Sequence, residues 1–283
     1  MGRQPSLTKW FLMNLVAMAA CAVTLYPVLW VVKMALTPSQ AFSLSANPLP
    51  ETLSFDNFRD LLTASNLAGE WLFGHWLMNS ILVSAVTTLL GITLATTAAY
   101  AFSRFEFPGK RLGMTLFLVT QMFPGVVMAV PLYILLDTLG LLNSMIGLTL
   151  VYSTTAIPFC VWMLKGYFDT IPKDLEEAAL MDGASRFTIF TRIILPLARP
   201  AVVVTALFSF MTAWNEFILA ATFLGQETSF TLPVALQRCV GGFSTEWGRF
   251  AAGAILVSVP VMALFFALQR HLIGGLTAGG VKG

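Results

Sequence analysis

Six apolar runs, at residues 10–36, 76–102, 112–136, 144–164, 200–224 and 250–268, constrain this chain more than any other feature. Each approaches or exceeds the roughly 20 residues a helix needs to cross the hydrocarbon layer. Backbone groups find no water there, so an open chain must satisfy them within helices. Composition agrees: 57% of the 283 residues are hydrophobic and 11% are charged, about half the charge of an ordinary soluble domain. The reading is all-α, a polytopic membrane protein with six transmembrane helices.

Basic residues set the expected orientation, because Lys and Arg are retained on the cytoplasmic side. With the N-terminus inside, Arg3, Lys9, Arg104, Lys110, Arg111, Lys165, Lys173, Arg186, Arg192, Arg199, Arg270 and Lys282 fall on inner segments. Only Arg59, Arg238 and Arg249 fall on outer ones, and Lys33 is expected to snorkel to the outer surface. Both termini are then cytoplasmic. Lys9 and the "AMA" of Ala17 to Ala19 resemble parts of a signal peptide, but the first run outlasts the apolar core of a cleaved signal. The organisation read from the sequence is a first helix and outer segment over 1–75, a five-helix core over 76–270 with an inner loop at 165–199, and a tail over 271–283.

A net charge of +2 is too small to point to nucleic acid, and no basic run is interleaved with aromatics. Of the three cysteines, Cys21 and Cys160 lie within apolar runs as small hydrophobes, and with Cys239 they imply neither a disulfide framework nor a metal site.

The polar inner loop is the departure from this lipid-soluble pattern. Pro172 and the Asp174/Glu177 pair predict a capped short helix to about Asp182, ended by Gly183. Ser185 then caps a second helix, before Pro196 and Pro200 lead into the fifth run. Leu175, Ala178 and Ala179 share one helical face, as do Phe187, Phe190 and Ile194. Two such faces suit insertion into a groove of a cytosolic partner. They suit equally well a helix that covers the inner mouths of its own spans.

Glu177-Ala178-Ala179, three residues, Gly183, nine residues, then Ile193, Leu195 and Pro196 resemble the EAA loop of ATP-binding-cassette importer permeases. "YAFSRFEFPGK", "QMFPGVV", "KGYFDTIPKDLEEAALMDGAS" and "GLTAGGVKG" extend the resemblance over most of the chain, to the carbohydrate branch of the inner-membrane, binding-protein-dependent permeases with the MetI-like fold. It implies a sugar importer subunit working by alternating access, with maltose, maltodextrin or an α-glucoside such as trehalose as substrate. The hairpin would be a coupling helix for a cytosolic ATPase, carried by Glu176, Glu177, Ala178, Ala179, Asp182, Gly183 and Phe187, with Glu177 facing an ATPase arginine. The implied partners are a MalF-like second permease, two MalK-like ATPases and an extracytoplasmic sugar-binding protein. No cofactor is expected on this chain; ATP and Mg2+ would sit on the ATPase.

The residues themselves agree that the ATPase is another chain. A phosphate-binding G-x-x-x-x-G-K-[ST] loop is missing, since Gly109-Lys110 lacks both the earlier glycine and the hydroxyl. The alternative class is a polytopic membrane enzyme of the intramembrane protease type, or a secondary carrier or channel. A zinc protease needs H-E-x-x-H, whereas the only histidines are His75 and His271. Ser185 is better read as a helix cap than as a nucleophile, and the two halves lack the matched broken helices of an inverted-repeat carrier.

Polar groups within the spans are costly and mark cavities or helix contacts. Asn215-Glu216, about 24 Å along a helix from Arg199, sit beside Trp214 and are candidates for sugar contact or for helix packing. Gln121 is a weaker candidate for the translocation path, and Asn79 is read as an interhelical contact. The outer stretch 231–248 carries Gln237, Arg238, Gly241, Gly242 and Trp247; the resemblance implies a scoop entering the binding protein's cleft, the alternative being a lid on the protein's own outer face. The glycine-rich tail by itself reads as a frayed end; the resemblance implies instead that Gly279 and Gly280 belong to a strand docked between the ATPases.

Overall fold

The computed structural model describes residues 7–42, 45–241 and 245–280, with side chains described through Gln269. In chain order the first helices are α1 (Leu7–Ala35), α2 (Asp56–Leu62), α3 (Leu72–Arg104), α4 (Lys110–Met122), α5 (Gly125–Thr138), α6 (Met145–Phe168) and α7 (Asp174–Met181). They are followed by α8 (Arg186–Ile189), α9 (Leu195–Leu197), α10 (Arg199–Trp214), α11 (Ile218–Phe223), α12 (Leu232–Gln237) and α13 (Trp247–Gly280). Among the described residues there is no strand, only one isolated bridge between Ser65 and Trp71.

α1, α3, α6 and the 247–269 part of α13 are each long and apolar enough to cross a membrane alone, and the number reaches six if each sharply bent helix pair counts as one span. The third expected span, 112–136, is such a pair: α4 and α5 meet at 100°. Pro124 causes the break, because the residue before a proline is pushed out of the helical region; Phe123 is extended at φ −76°, ψ 124°. The fifth expected span, 200–224, is also interrupted, with Asn215 to Phe217 separating α10 from α11.

The chain divides into two units, Met1–Phe73 with Leu236–Val259, and Gly74–Ala235 with Pro260–Gly283. The sequence assigned residues 236–259 to the five-helix core over 76–270; by its contacts this segment groups with Met1–Phe73. In the first unit, Met34 and Ala35 at the end of α1 pack on Ala251 and Ala252 of α13, flanked by Trp30, Phe58 and Trp247. Alanines on both sides allow that approach, and Phe42 bridges edge-on to Trp30 and Trp247 at 4.8 and 5.2 Å.

The same unit corrects the reading of Lys33. It is 6% exposed and donates to the Asn47 carbonyl at 2.6 Å, so it is folded under the outer segment instead of snorkelling. That segment is organised by Asn57, which is buried and donates to the Ala35 and Thr37 carbonyls at 3.1 and 2.8 Å.

In the second unit the core lies where α3, α6 and the inner hairpin meet. Ala95, Ala99 and Tyr100 of α3 contribute to one buried cluster with Cys160, Val161, Leu164 and Phe168 of α6. Ala179, Ile189, Phe190 and Ile194 complete it from the hairpin. At the other end of α3, Asn79 donates to the Thr228 and Phe230 carbonyls at 2.8 and 3.0 Å. This is a loop tether where the sequence suggested an interhelical contact.

Candidate functional site

The hairpin at 165–199 forms largely as its sequence dictates. α7 ends in a Schellman motif: Ala184 N–H reaches the Ala179 carbonyl at 2.9 Å, Gly183 N–H reaches Leu180 at 3.0 Å, and Gly183 holds φ +82°. Ser185 caps α8 by accepting from Thr188 N–H at 3.2 Å. The start of α7 differs, because Lys173 is the capping position and no side chain caps the helix. Asp174, Glu176 and Glu177 still place negative charge in its first turn, where the helix dipole favours it. Phe190–Ile194 is a π turn, followed by α9 and a 77° bend into α10 at Ala198.

The faces of the hairpin do not divide as the sequence suggested. α7 buries Glu176 and Ala179, while Leu175 is 44% exposed and Glu177 and Ala178 are exposed. Phe187 is 75% exposed and so does not share the buried face of Phe190 and Ile194. Helical spacing identified residues able to share a face, but the hairpin's tilt on the core decides which side each presents. The outward surface therefore consists of Leu175, Glu177, Ala178, Met181, Asp182, Gly183 and Phe187. Bare Met and Phe side chains on either side of a polar turn are the pattern of a contact surface.

Beneath it, Glu176 forms an ion pair with the Arg104 guanidinium, the two side chains being 5% and 4% exposed. Its second oxygen accepts from Tyr100 Oη at 2.8 Å. Arg104 Nη2 also donates to the Ile171 carbonyl at 2.9 Å and Nη1 to Ser103 Oγ at 3.1 Å. Ser103 Oγ donates onward to Asp169 at 2.6 Å, and Lys165 pairs with the other Asp169 oxygen at 2.6 Å. Burial opposes ionisation of Asp169, but the bonds from Lys165 and Ser103 outweigh it and hold the carboxyl below its usual range. Arg186 lies over the Phe105 ring at 5.8 Å, a further tie between the hairpin and the segment after α3. Sequence reasoning missed Tyr100 and Arg104. Their i, i+4 spacing on α3 was visible, but their partner lies more than seventy residues away.

The four candidates for the translocation path are engaged within the protein. Glu216 accepts from Tyr152 Oη at 2.6 Å and from Leu219 and Ala220 N–H at 2.8 and 3.1 Å, so it caps α11 at the break. Trp214 is 1% exposed and stacks on Phe210 at 5.5 Å, leaving no open face for a sugar ring. Asn215 is exposed and donates to the Met211 carbonyl, while Gln121 donates to Thr155 at 2.9 Å. Of the four path candidates, Asn215 and Gln121 are exposed on this chain.

In the outer stretch, α12 and a 3-10 turn over Arg238–Val240 replace the open loop expected there. Gln237, Arg238 and Gly241 are exposed, and Glu246 N–H closes back on the Cys239 carbonyl at 2.8 Å. Trp247 packs on Phe42, and Gly242 lies outside the described residues. Burial, with the Glu246 charge, raises the Cys239 thiol pKa. The tail is helical as far as Gly280, Gly279 included, where an extended strand was expected; residues 281–283 lie outside the described residues.

Residues 88–277 match the family described as the binding-protein-dependent transport system inner membrane component. The trehalose transport system permease protein SugB of Mycobacterium tuberculosis is 38% identical over 92% of this chain and 93% of its own. The maltose/maltodextrin transport system permease protein MalG of Escherichia coli is 36% identical over 97% and 96%. A bacterial transporter structure involved in import of the acidic polysaccharide alginate superposes with a TM-score of 0.75 at 22% identity, covering 95% of this chain and 99% of that one.

Proposed function

We propose that this chain, which belongs to the family of binding-protein-dependent transport system inner membrane components, passes a neutral oligosaccharide or disaccharide of the maltose, maltodextrin or trehalose class across the membrane. It is a multi-pass permease subunit, not an enzyme. The curated relatives include permeases named for trehalose, for galactooligosaccharides and for maltose or maltodextrin, which supports a neutral saccharide over an acidic polymer.

The observation that carries the mechanism is the hairpin, whose Met181 and Phe187 are 88% and 75% exposed beside an exposed Glu177. In our reading this surface enters a cleft on one of two MalK-like ATPases, which hold the ATP and Mg2+, and Glu177 accepts a charge-assisted bond from an ATPase arginine. A MalF-like permease completes the pathway, and both termini lie on the ATPase side, the orientation that the distribution of basic residues supports. ATP closes the ATPases, draws the hairpins together and turns the permeases outward. The binding protein then releases sugar, helped by the segment at 237–247, and hydrolysis resets the pathway. The Gly279–Gly280 region reaches the ATPase interface as part of a helix.

The test is reconstitution of the whole complex with a panel of labelled sugars, combined with cross-linking of a Met181→Cys variant to the ATPase. ATP-dependent uptake of an α-glucoside, a Met181→Cys cross-link and loss of uptake in Glu177→Lys are expected. Uptake without ATPase or binding protein, or a hairpin that never cross-links, would overturn the reading.

A further inference from the structure

The helix that carries the outward surface is attached to the protein in an unusual way. α7 buries only Glu176 and Ala179. An amphipathic helix normally adheres through an apolar stripe, and apolar contact is non-directional, so such a helix can slide and tilt at little cost. Here the fully buried residues are one carboxylate and one methyl group, with Leu180 half-buried beside them against the same cluster.

Both carboxylate oxygens are held by α3. One is bound by Arg104 and the other by Tyr100, which stand on successive turns of that helix. Arg104 also grips the Ile171 carbonyl just before α7, and Ser103 holds Asp169 at the end of α6. A buried ion pair recovers little net stability, because desolvation of the two charges offsets their attraction, and an apolar pair of similar volume would hold as well. What charge-assisted hydrogen bonds add is direction.

We propose that Glu176 is a positioning residue that locks α7 to the last turns of α3, so that displacement of the hairpin moves α3 as one body. The proposal rests on the reading of the hairpin as the ATPase-coupling element and assigns that element's intramolecular output. Glu177 faces the partner, and Glu176, one residue earlier, faces the span. Without the lock, the hairpin follows the ATPase while α3 lags behind it.

The experiment uses the assembled complex in lipid, with spin labels at Met181→Cys, which is 88% exposed, and Leu89→Cys on α3, which is 69% exposed. With Glu176 intact, the distance between the labels is expected to stay constant between nucleotide-free and ATP-trapped states. In Glu176→Gln it is expected to change with nucleotide, and sugar moved per ATP hydrolysed to fall by roughly two- to thirty-fold, the range of mutational effects on coupling. A role in folding alone would lower the amount of complex without making that distance nucleotide-dependent.

Tyr100→Phe, which removes one hydrogen bond and keeps the ion pair, is expected to move both readouts in the same direction by less. It decides the matter if Glu176→Gln fails to assemble. A distance that varies with nucleotide when Glu176 is intact would overturn the proposal, as would unchanged distance and stoichiometry in Glu176→Gln or, should that fail to assemble, in Tyr100→Phe. Failure of the coupling reading itself looks different: the label at Met181 would then report no contact with the ATPase in any state.

Discussion

Replacing Gly183 separates two explanations for a glycine at the tip of the hairpin. Its φ of +82° lies in the left-handed region, and a Cβ added there meets nothing within 4 Å. Space inside the chain is therefore not the constraint; the backbone is. A residue with a Cβ pays about 1–2 kcal/mol to hold that conformation, equivalent to a roughly 5–30-fold loss in the population of the native turn. Asn tolerates left-handed geometry better than other side chains, and a β-branched residue tolerates it worst. If the backbone governs, ATP-driven uptake per assembled complex should rank Gly183, then Gly183→Asn, then Gly183→Ala, then Gly183→Val. Met181→Cys cross-linking to the ATPase should follow the same order, because the Schellman bonds of Ala184 and Gly183 orient the exposed face. If instead a partner surface presses on this position, side-chain size governs and the order becomes Gly, Ala, then Val and Asn. Wild-type uptake in Gly183→Ala with a defective Gly183→Asn would refute the backbone account.

Gly147→Ala should lower the unfolding temperature, since its Cβ would run into the Leu141 carbonyl oxygen, backbone that cannot swing aside; the cost is about 1–3 kcal/mol. Gly166→Ala on the same helix, with nothing within 4 Å, is the control, and equal melting of the two would refute the packing argument. Asn57→Asp should loosen the outer segment more than Asn57→Ala, because it sets a carboxylate against the Ala35 and Thr37 carbonyls. Loss of the amide alone costs about 1–3 kcal/mol, and proteolysis of residues 37–73 reads both; faster cleavage in the Ala variant would count against it. Cys239, its thiol pKa raised by burial and by Glu246, should react with maleimide at pH 8 more slowly than a Gln237→Cys thiol in a Cys239→Ser background. The two rates should converge at higher pH as Cys239 ionises, and coincident pH profiles would refute the shift.

What the chain determined by itself is local or one-dimensional. Apolar run length places helices because the hydrocarbon layer has a fixed thickness, and residue chemistry places the turn at Gly183 and the cap at Ser185 because those motifs close within a few residues. Pro124 breaks the helix locally, but the 100° angle depends on what α4 and α5 pack against. The faces of the hairpin, the enclosure of Trp214 and the burial of Lys33 were beyond the sequence, since periodicity says which residues share a side and not what that side meets. The same holds for Glu176. Adjacent glutamates at 176 and 177 are indistinguishable along the chain, and only tertiary structure, by bringing Tyr100 and Arg104 beneath one of them, makes that one an internal tie and leaves its neighbour facing outward.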